Sequence, residues 1–302
     1  MKLTLIPYGG LANRMKAIDS LIRMTSEINS GIETGVFEDS NVEAHNISSR
    51  NDNVFESYIV WFENNHLNCP FERIFEPISV PYISIRNANI TDYLINDRPR
   101  KKNLFAPSLF QKVIYNASIH ENDVTIKAKS GFDFKEWAIT NKKTILSSCV
   151  RFYDHDYTSN YSNFRPTEEL RKRIDEVCSI FSSRTIGIHI RRTDHNISIS
   201  KSPTSLFIDR MKQEILLDNN VRFYLASDSQ EVKKELLDEF GDDRIITSNK
   251  LVTRNTSEGI EDAVVELYVL SRTNKIIGSF GSTYSYLAAE IGGIALEIIE
   301  SK

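Results

Sequence analysis

The stretch Arg184-Thr185-Ile186-Gly187-Ile188-His189-Ile190-Arg191-Arg192-Thr193-Asp194 decides how the chain is read. Its first seven residues make a β-branched, largely apolar run of strand length. That run passes directly into two adjacent arginines and an aspartate. In an α/β fold, ligands bind at the carboxyl ends of strands, which is where this charge falls. Arginine suits a diphosphate because its planar fork offers donors to two oxygens at once. Adjacent strand residues point to opposite faces, so the two arginines differ in role. One faces the ligand, and the other holds Asp194 or the loop. The plain alternative is a charged surface loop in which Arg192 pairs with Asp194.

Strands alternate with helices on the downstream side. Residues 205–217, 230–240, 261–271 and 284–291 read as helices. Residues 222–226, 244–246, 275–278 and 294–299 read as strands. Such alternation predicts a parallel, doubly wound sheet. Upstream, Pro166-Thr167-Glu168-Glu169 opens a helix to about residue 181, with its acids in the first turn where the helix dipole favours them. The tyrosine-rich residues 154–164 read as a hinge. The chain begins strand (2–8), Gly9-Gly10 turn, helix. Leu11, Met15, Ile18, Ile22, Thr25 and Ile28 form one helical face, Arg14, Lys16 and Arg23 lie off it, and Asn29-Ser30-Gly31 is the expected stop. Residues 35–150 read as an irregular α/β region with long loops, short apolar runs at 58–62, 78–85 and 104–110, and a closing strand at 144–152. The expected organisation is an α/β domain over 1–160 followed by a Rossmann-like domain over 161–302.

Two further strand ends carry chemistry. After Tyr224-Leu225-Ala226 come Ser227-Asp228-Ser229, small residues that admit a ligand, with Asp228 able to accept hydrogen bonds from a base edge or ribose. The structural alternative is a helix N-cap. After the strand at 275–278 comes Ser279-Phe280-Gly281-Ser282-Thr283-Tyr284-Ser285. Free backbone N–H groups at a helix start, together with hydroxyls, make an anion site. The alternative is an ordinary capped helix. No P-loop lysine is present, so ATP hydrolysis is not indicated. Three such signals at strand ends of one sheet describe a pocket for a nucleotide diphosphate.

Composition narrows the class. The chain has 302 residues and a formal net charge of −4, so it carries no general attraction for nucleic acid or an anionic membrane. Its three cysteines, Cys69, Cys149 and Cys178, show neither a disulfide nor a zinc pattern. The apolar start breaks at Pro7, too soon for a signal peptide, and no apolar run is long enough to span a bilayer. The expectation is a soluble, cytoplasmic protein with no integral membrane segment, leaving room for peripheral association where its product is handed to a membrane pathway.

The motif Gly187–Asp194 resembles the HxRRxD signature of the fucosyltransferase superfamily, which includes the nodulation, core α1,6- and protein O-fucosyltransferases. Leu225-Ala226-Ser227-Asp228 is similar to its second motif, Gly281-Ser282-Thr283-Tyr284-Ser285 to its third, and Gly9-Gly10-Leu11-Ala12-Asn13-Arg14 to its N-terminal glycine loop. The resemblance implies a GT-B-like fold, two Rossmann-like α/β domains facing across a cleft. It implies an inverting glycosyltransferase with GDP-fucose as donor, a glycan or oligosaccharide hydroxyl as acceptor and no obligatory metal or other cofactor. It implies that Arg191 holds the diphosphate, that Asp194 supports it, that His189 lies beside the guanine and that Asp228 reads that base. Ser282 and Thr283 would bind phosphate, with Ser285 beside them. Asn13 and Arg14 would face the sugar or acceptor. One departure stands out. Where core α1,6 enzymes place a lysine and a glutamate after this motif, the chain has His195 and Ile199. His195 is a candidate acceptor base, since neutral imidazole is available near pH 7. A loop histidine in a reaction that needs little enzymatic base is the alternative.

Two other classes compete. Asp154-His155-Asp156 has the acid-x-acid form used by metal-dependent glycosyltransferases, but it follows no strand–helix nucleotide unit. A nucleotide-sugar-binding protein without turnover would also fit the missing acid. A Rossmann oxidoreductase is disfavoured because no G-x-G-x-x-G follows a strand. His45, His66 and His120 have no metal spacing, and Trp61 and Trp137 read as core or wall residues. A bacterial surface polysaccharide or its oligosaccharide precursor is the expected kind of acceptor.

Overall fold

The computed structural model describes residues 1–33, 54–95, 105–153, 161–193, 196–250 and 253–301. The chain forms two compact units, one from residues 1–71 and 77–157, the other from residues 72–76 and 158–302.

The first unit runs β1 (Lys2–Pro7), α1 (Leu11–Glu33), β2 (Glu56–Trp61), β3 (Ile83–Asn87), α3 (Ile90–Ile95), α4 (Phe105–Ile114), β4 (Ala117–His120), α5 (Glu121–Lys129), α6 (Phe134–Asn141) and β5 (Lys143–Ser148), with the short α2 (Phe71–Ile74) between β2 and β3. Its strands pair in the order β3-β2-β1-β5-β4, all parallel. Leu3 and Leu5 of β1 and Met15, Ile18 and Leu21 of α1 are fully buried, as the helical spacing requires. The expected stop at Asn29 does not end α1. The Asn29 side chain instead donates to Phe55 O at 2.8 Å and accepts from Phe55 N at 3.0 Å, so its polar groups are satisfied without leaving the helix. The apolar run at 104–110 enters α4, and β5 ends at Ser148 rather than continuing to 152.

The second unit contains α7 (Glu168–Cys178), β6 (Thr185–Ile190), α8 (Asn196–Lys201), α9 (Thr204–Leu217), β7 (Arg222–Ser227), α10 (Gln230–Phe240), β8 (Ile245–Thr247), α11 (Ser257–Leu270), β9 (Lys275–Ser279), α12 (Thr283–Gly292) and β10 (Ala295–Ile299). Its order is β10-β9-β6-β7-β8, again all parallel. The chain therefore winds outward from β6 in one direction and returns through β9 in the other. That makes the crevice beyond the ends of β6 and β9 the topological switch point. Ile186, Ile188 and Ile190 pack with Phe207 and Met211 of α9 and Val232 and Leu236 of α10. Each fully buried side chain of this size contributes about 1.5–3 kcal/mol. The intervening Gly187 and His189 face the opposite layer. A Cβ on Gly187 would lie 2.8 Å from Thr273 Oγ1, and one on Gly278 would lie 2.6 Å from Ser285 Oγ. Both glycines allow a close approach to the α11–α12 side.

Residues 72–76 are a strap that belongs to the second unit. Phe75 makes an antiparallel bridge to Pro166, and its ring meets Phe164 edge-on at 5.5 Å. Glu76 N donates to Arg165 O at 2.8 Å, and Thr167 N to Ile74 O at 3.2 Å. Glu76 pairs with Arg171, and Arg73 with Glu261 of α11.

Candidate functional site

The turn that follows β6 is built by Asp228. Its Oδ1 accepts from Arg192 N at 2.7 Å, and its Oδ2 from Thr193 N at 3.2 Å and Thr193 Oγ1 at 2.6 Å. Burial raises the Asp228 pKa, but these hydrogen bonds and the Arg191 charge outweigh it and hold the carboxyl below the usual range. The two arginines divide as their alternation predicts. Arg192 turns toward α9, donating to Arg191 O at 2.8 Å, Ser202 O at 2.9 Å and Thr204 Oγ1 at 3.0 Å. It is the residue that holds the loop. Arg191 follows on the face of His189, and its positive charge acts on both His189 and Asp228.

The end of β9 locks onto the same turn. Ser279 Oγ accepts from Arg191 N at 3.1 Å and donates to His189 O at 3.3 Å. Phe280 N donates to Ser202 Oγ, whose own hydroxyl donates to Ile299 O of β10. Gly281 then turns the chain with φ of +68°, a conformation that strains any residue bearing a Cβ. Ser282 sits at the N-cap of α12 with its hydroxyl buried and without a hydrogen-bond partner. Such a group is costly to leave unpaired and marks a place where an acceptor belongs. The first N–H groups of α12 lie beside it, with no capping bond from the Ser282 side chain. Arg191, the Ser282 hydroxyl and the α12 start thus bring three kinds of donor to the switch point.

Behind this edge lies a buried polar layer. His189 is held neutral because burial, opposed by the Asp228 carboxylate and aided by the Arg191 charge, brings its pKa down to about 4. Its Nδ1 meets Ser285 Oγ at 2.7 Å, and its ring lies 4.9 Å from that of Tyr284. Tyr284 OH donates to Ala263 O of α11.

Several placements differ from the motif-based expectations. Ser285 is fully buried and serves His189, so its hydroxyl is directed into the core. Asp228 accepts three bonds from the turn it organises, so its carboxylate already has a structural duty there. In the first unit Arg14 is fully buried, although the helical spacing puts it off the apolar face. Its guanidinium donates to Gly9 O at 3.0 Å, Phe62 O at 2.5 Å and Asn64 Oδ1 at 3.2 Å, and lies 4.7 Å from the Trp61 ring centroid. It clamps the Gly9-Gly10 turn to the segment after β2. Asn13 is half-buried and lies against Gly9, where a Cβ would come within 3.0 Å of its Nδ2. Thr283 is exposed at the start of α12. Asp194, His195 and Asp154-His155-Asp156 lie outside the described residues. Among the described residues, no group of three or more His, Cys, Asp or Glu is placed to hold a metal ion, and no helix is long and apolar enough to cross a membrane. Sequence reasoning missed Ser202 and Thr204, and gave Ser279 no role of its own within the third motif. Only the Ser202-Pro203-Thr204 turn at the start of α9 left a local signal.

No protein-family model matches the chain, and no curated protein matches its sequence. Solved structures do match over nearly its whole length. The fucosyltransferase NodZ from Bradyrhizobium is 15% identical with a TM-score of 0.55, covering 95% of this chain and 90% of that one. POFUT1 in complex with GDP is 9% identical with a TM-score of 0.53, covering 99% and 98%. A mutant of Arabidopsis thaliana FUT1 in complex with GDP is 12% identical with a TM-score of 0.54, covering 98% and 70%. The chain has a fucosyltransferase fold. The GT-B-like architecture implied by the motifs is thereby borne out, with a five-stranded parallel sheet in each unit. Within this fucosyltransferase fold, all three C-terminal motifs fall in the second unit and meet at one carboxyl edge.

Proposed function

We propose that the chain is an inverting glycosyltransferase that transfers fucose from GDP-fucose to a hydroxyl of a glycan acceptor. The observation that carries this reading is the buried, unpartnered Ser282 hydroxyl at the start of α12, opposite the Arg191 turn at the switch point. It is an anion site of diphosphate character rather than an ordinary helix cap. Structures of similar fold were solved with GDP-fucose or GDP, including NodZ soaked with GDP-fucose, which supports the choice of nucleotide.

In this reading Arg191, Ser282, Thr283 and the α12 N–H groups bind the diphosphate. The bond from the anomeric carbon to the β-phosphate oxygen breaks, and its electron pair stays on GDP. The donors at the switch point stabilise that growing charge. The acceptor oxygen bonds the anomeric carbon from the opposite face, and its proton passes to a base, the role we assign to His195. Asp228 and Arg192 position the turn, and neutral His189 supports it from below. Asn13 is assigned to the acceptor side in the first unit. The reaction as proposed needs no metal or other cofactor, and the cytoplasm is its proposed compartment.

Calorimetry against GDP, UDP and ADP in the presence of EDTA tests the donor site. GDP-selective binding that disappears in Arg191→Ala supports it. Preference for UDP with a metal requirement, or no nucleotide binding at all, overturns it.

A further inference from the structure

Lys233 lies in the first turn of α10 and is among the most buried charged groups of the second unit, at 2% exposure. An ammonium has three donors, and all three are placed. They reach Ser248 O at 3.0 Å, Lys250 O at 3.2 Å and Glu266 Oε1 of α11 at 3.2 Å. At the first residue of the same helix, Gln230 Nε2 donates to Asn249 O at 3.1 Å. Three successive carbonyls of the loop after β8 are therefore bonded by side chains from the start of α10. The loop is also closed on itself by Lys250 N donating to Ser248 Oγ at 3.1 Å, and β8 is tied to β7 through Thr247 Oγ1 and Leu225 O at 2.8 Å. A buried ion pair is an expensive way to fill a core, and an apolar side chain of similar volume would serve stability as well or better. What the lysine adds is a fixed shape for residues 248–250.

That loop lies at the carboxyl edge of the sheet that also carries the anion site. Beyond β10 this edge is covered, because Ser301 N donates to Lys201 O at 2.6 Å and Ser202 is bonded to both Ile299 and Phe280. A nucleoside whose diphosphate is anchored at β6 and β9 is left with the ends of β7 and β8. We infer that Lys233 is a positioning residue for donor selection, holding residues 248–250 as a preformed wall of the nucleoside end of the pocket. This rests on the nucleotide-diphosphate reading of the switch point.

The test compares wild type, Lys233→Met, Lys233→Arg and Gln230→Ala by calorimetry with GDP, UDP and inorganic pyrophosphate, and by hydrogen exchange over residues 245–250. Lys233→Met is expected to weaken GDP by about tenfold and flatten the GDP-over-UDP preference, while pyrophosphate changes less than about twofold. Lys233→Arg is expected to recover part of the GDP affinity. Gln230→Ala, a change at an exposed side chain that guards against a misfolded Lys233→Met, is expected to cost about threefold for GDP alone. Exchange over 245–250 is expected to rise in Lys233→Met and Gln230→Ala. If wild type binds no GDP, the pocket reading fails and this inference with it. If wild type binds GDP and folded variants bind it equally, the inference fails and the pocket reading stands, whether or not exchange rises. Equal loss of GDP and pyrophosphate would also overturn it, since that marks general damage rather than a nucleoside wall.

Discussion

His189 Nδ1 lies 2.7 Å from Ser285 Oγ, so the first and third motifs of the second unit are joined inside the core as well as at the surface. Three residues earlier in the chain, the Ser282 hydroxyl is buried with nothing to bond. Two serines of one motif therefore have opposite duties. Ser285→Ala should leave the imidazole unpaired and lower stability by about 1–3 kcal/mol, with nucleotide affinity changed less than about threefold. Ser282→Ala should keep or raise stability, by up to about 1–3 kcal/mol, because it removes a buried hydroxyl without a partner, and should weaken GDP by about tenfold. Urea denaturation and calorimetry on the same preparations separate the two. A stability loss in Ser282→Ala with no loss of affinity would show that its hydroxyl serves the fold.

Arg191 and Arg192 should separate in a similar way. Arg192 holds Arg191 O, Ser202 O and Thr204 Oγ1, so Arg192→Ala should cost about 2–3 kcal/mol of stability and weaken nucleotide binding with it. Arg191→Ala should fold with near-normal stability and lose GDP binding by at least about a hundredfold. Identical profiles for the two variants would refute the division of labour.

Burial raises Glu266 to about 7 even beside Lys233, from an ordinary 4.5. A carboxyl raised on folding favours the folded state below its unfolded pKa, and that contribution is lost as pH rises through about 7. His189, lowered to about 4 from 6.5, has the opposite sign. Its contribution is present above 6.5 and is lost as pH falls toward 4. Between pH 4.5 and 6.5 the two slopes oppose each other. Glu266→Gln removes one of them, so its stability relative to wild type should rise with pH between 4.5 and 7 by up to about 1.4 kcal/mol per unit. Unfolding curves at half-unit steps of pH measure this directly. A constant difference between the two proteins would mean that Glu266 does not titrate in that window.

In the first unit, Arg14 makes three directional bonds and covers the Trp61 ring. Lysine keeps the charge but not the fork. Arg14→Lys should therefore destabilise the protein by about 2–3 kcal/mol, and Arg14→Met should not rescue it. Thermal unfolding that moves by less than a degree or two in Arg14→Lys would contradict the clamp.

The second unit was legible in sequence because its signals are local. The run 184–190 alternates two faces of a buried strand, and β7 and β9 after it end in small or charged residues before a helix begins. That Arg192 turns toward α9 while Arg191 follows the face of His189 agrees with that same alternation. Partnerships formed across the fold were not legible. Nothing near Lys233 announces that it meets three acceptors from two other segments, and the motif around Ser285 reads the same whether its hydroxyl faces outward or toward His189. Arg14 shows the limit of helical spacing, which marks a charged residue as exposed unless a buried set of carbonyls awaits it. Asn29 shows the same for a helix stop, since a side chain that finds Phe55 no longer has cause to end the helix.

The strap at 72–76 bears on how such a protein is inherited as well as how it is built. Phe75 and Glu76 bond to Pro166, Arg165 and Arg171, residues encoded much later in the gene. A single recombination event near codon 158 would join a foreign first half to a second unit lacking its own strap, with Phe164 and Arg171 left unmatched. Exchange of the first unit by one crossover is therefore penalised at the level of folding.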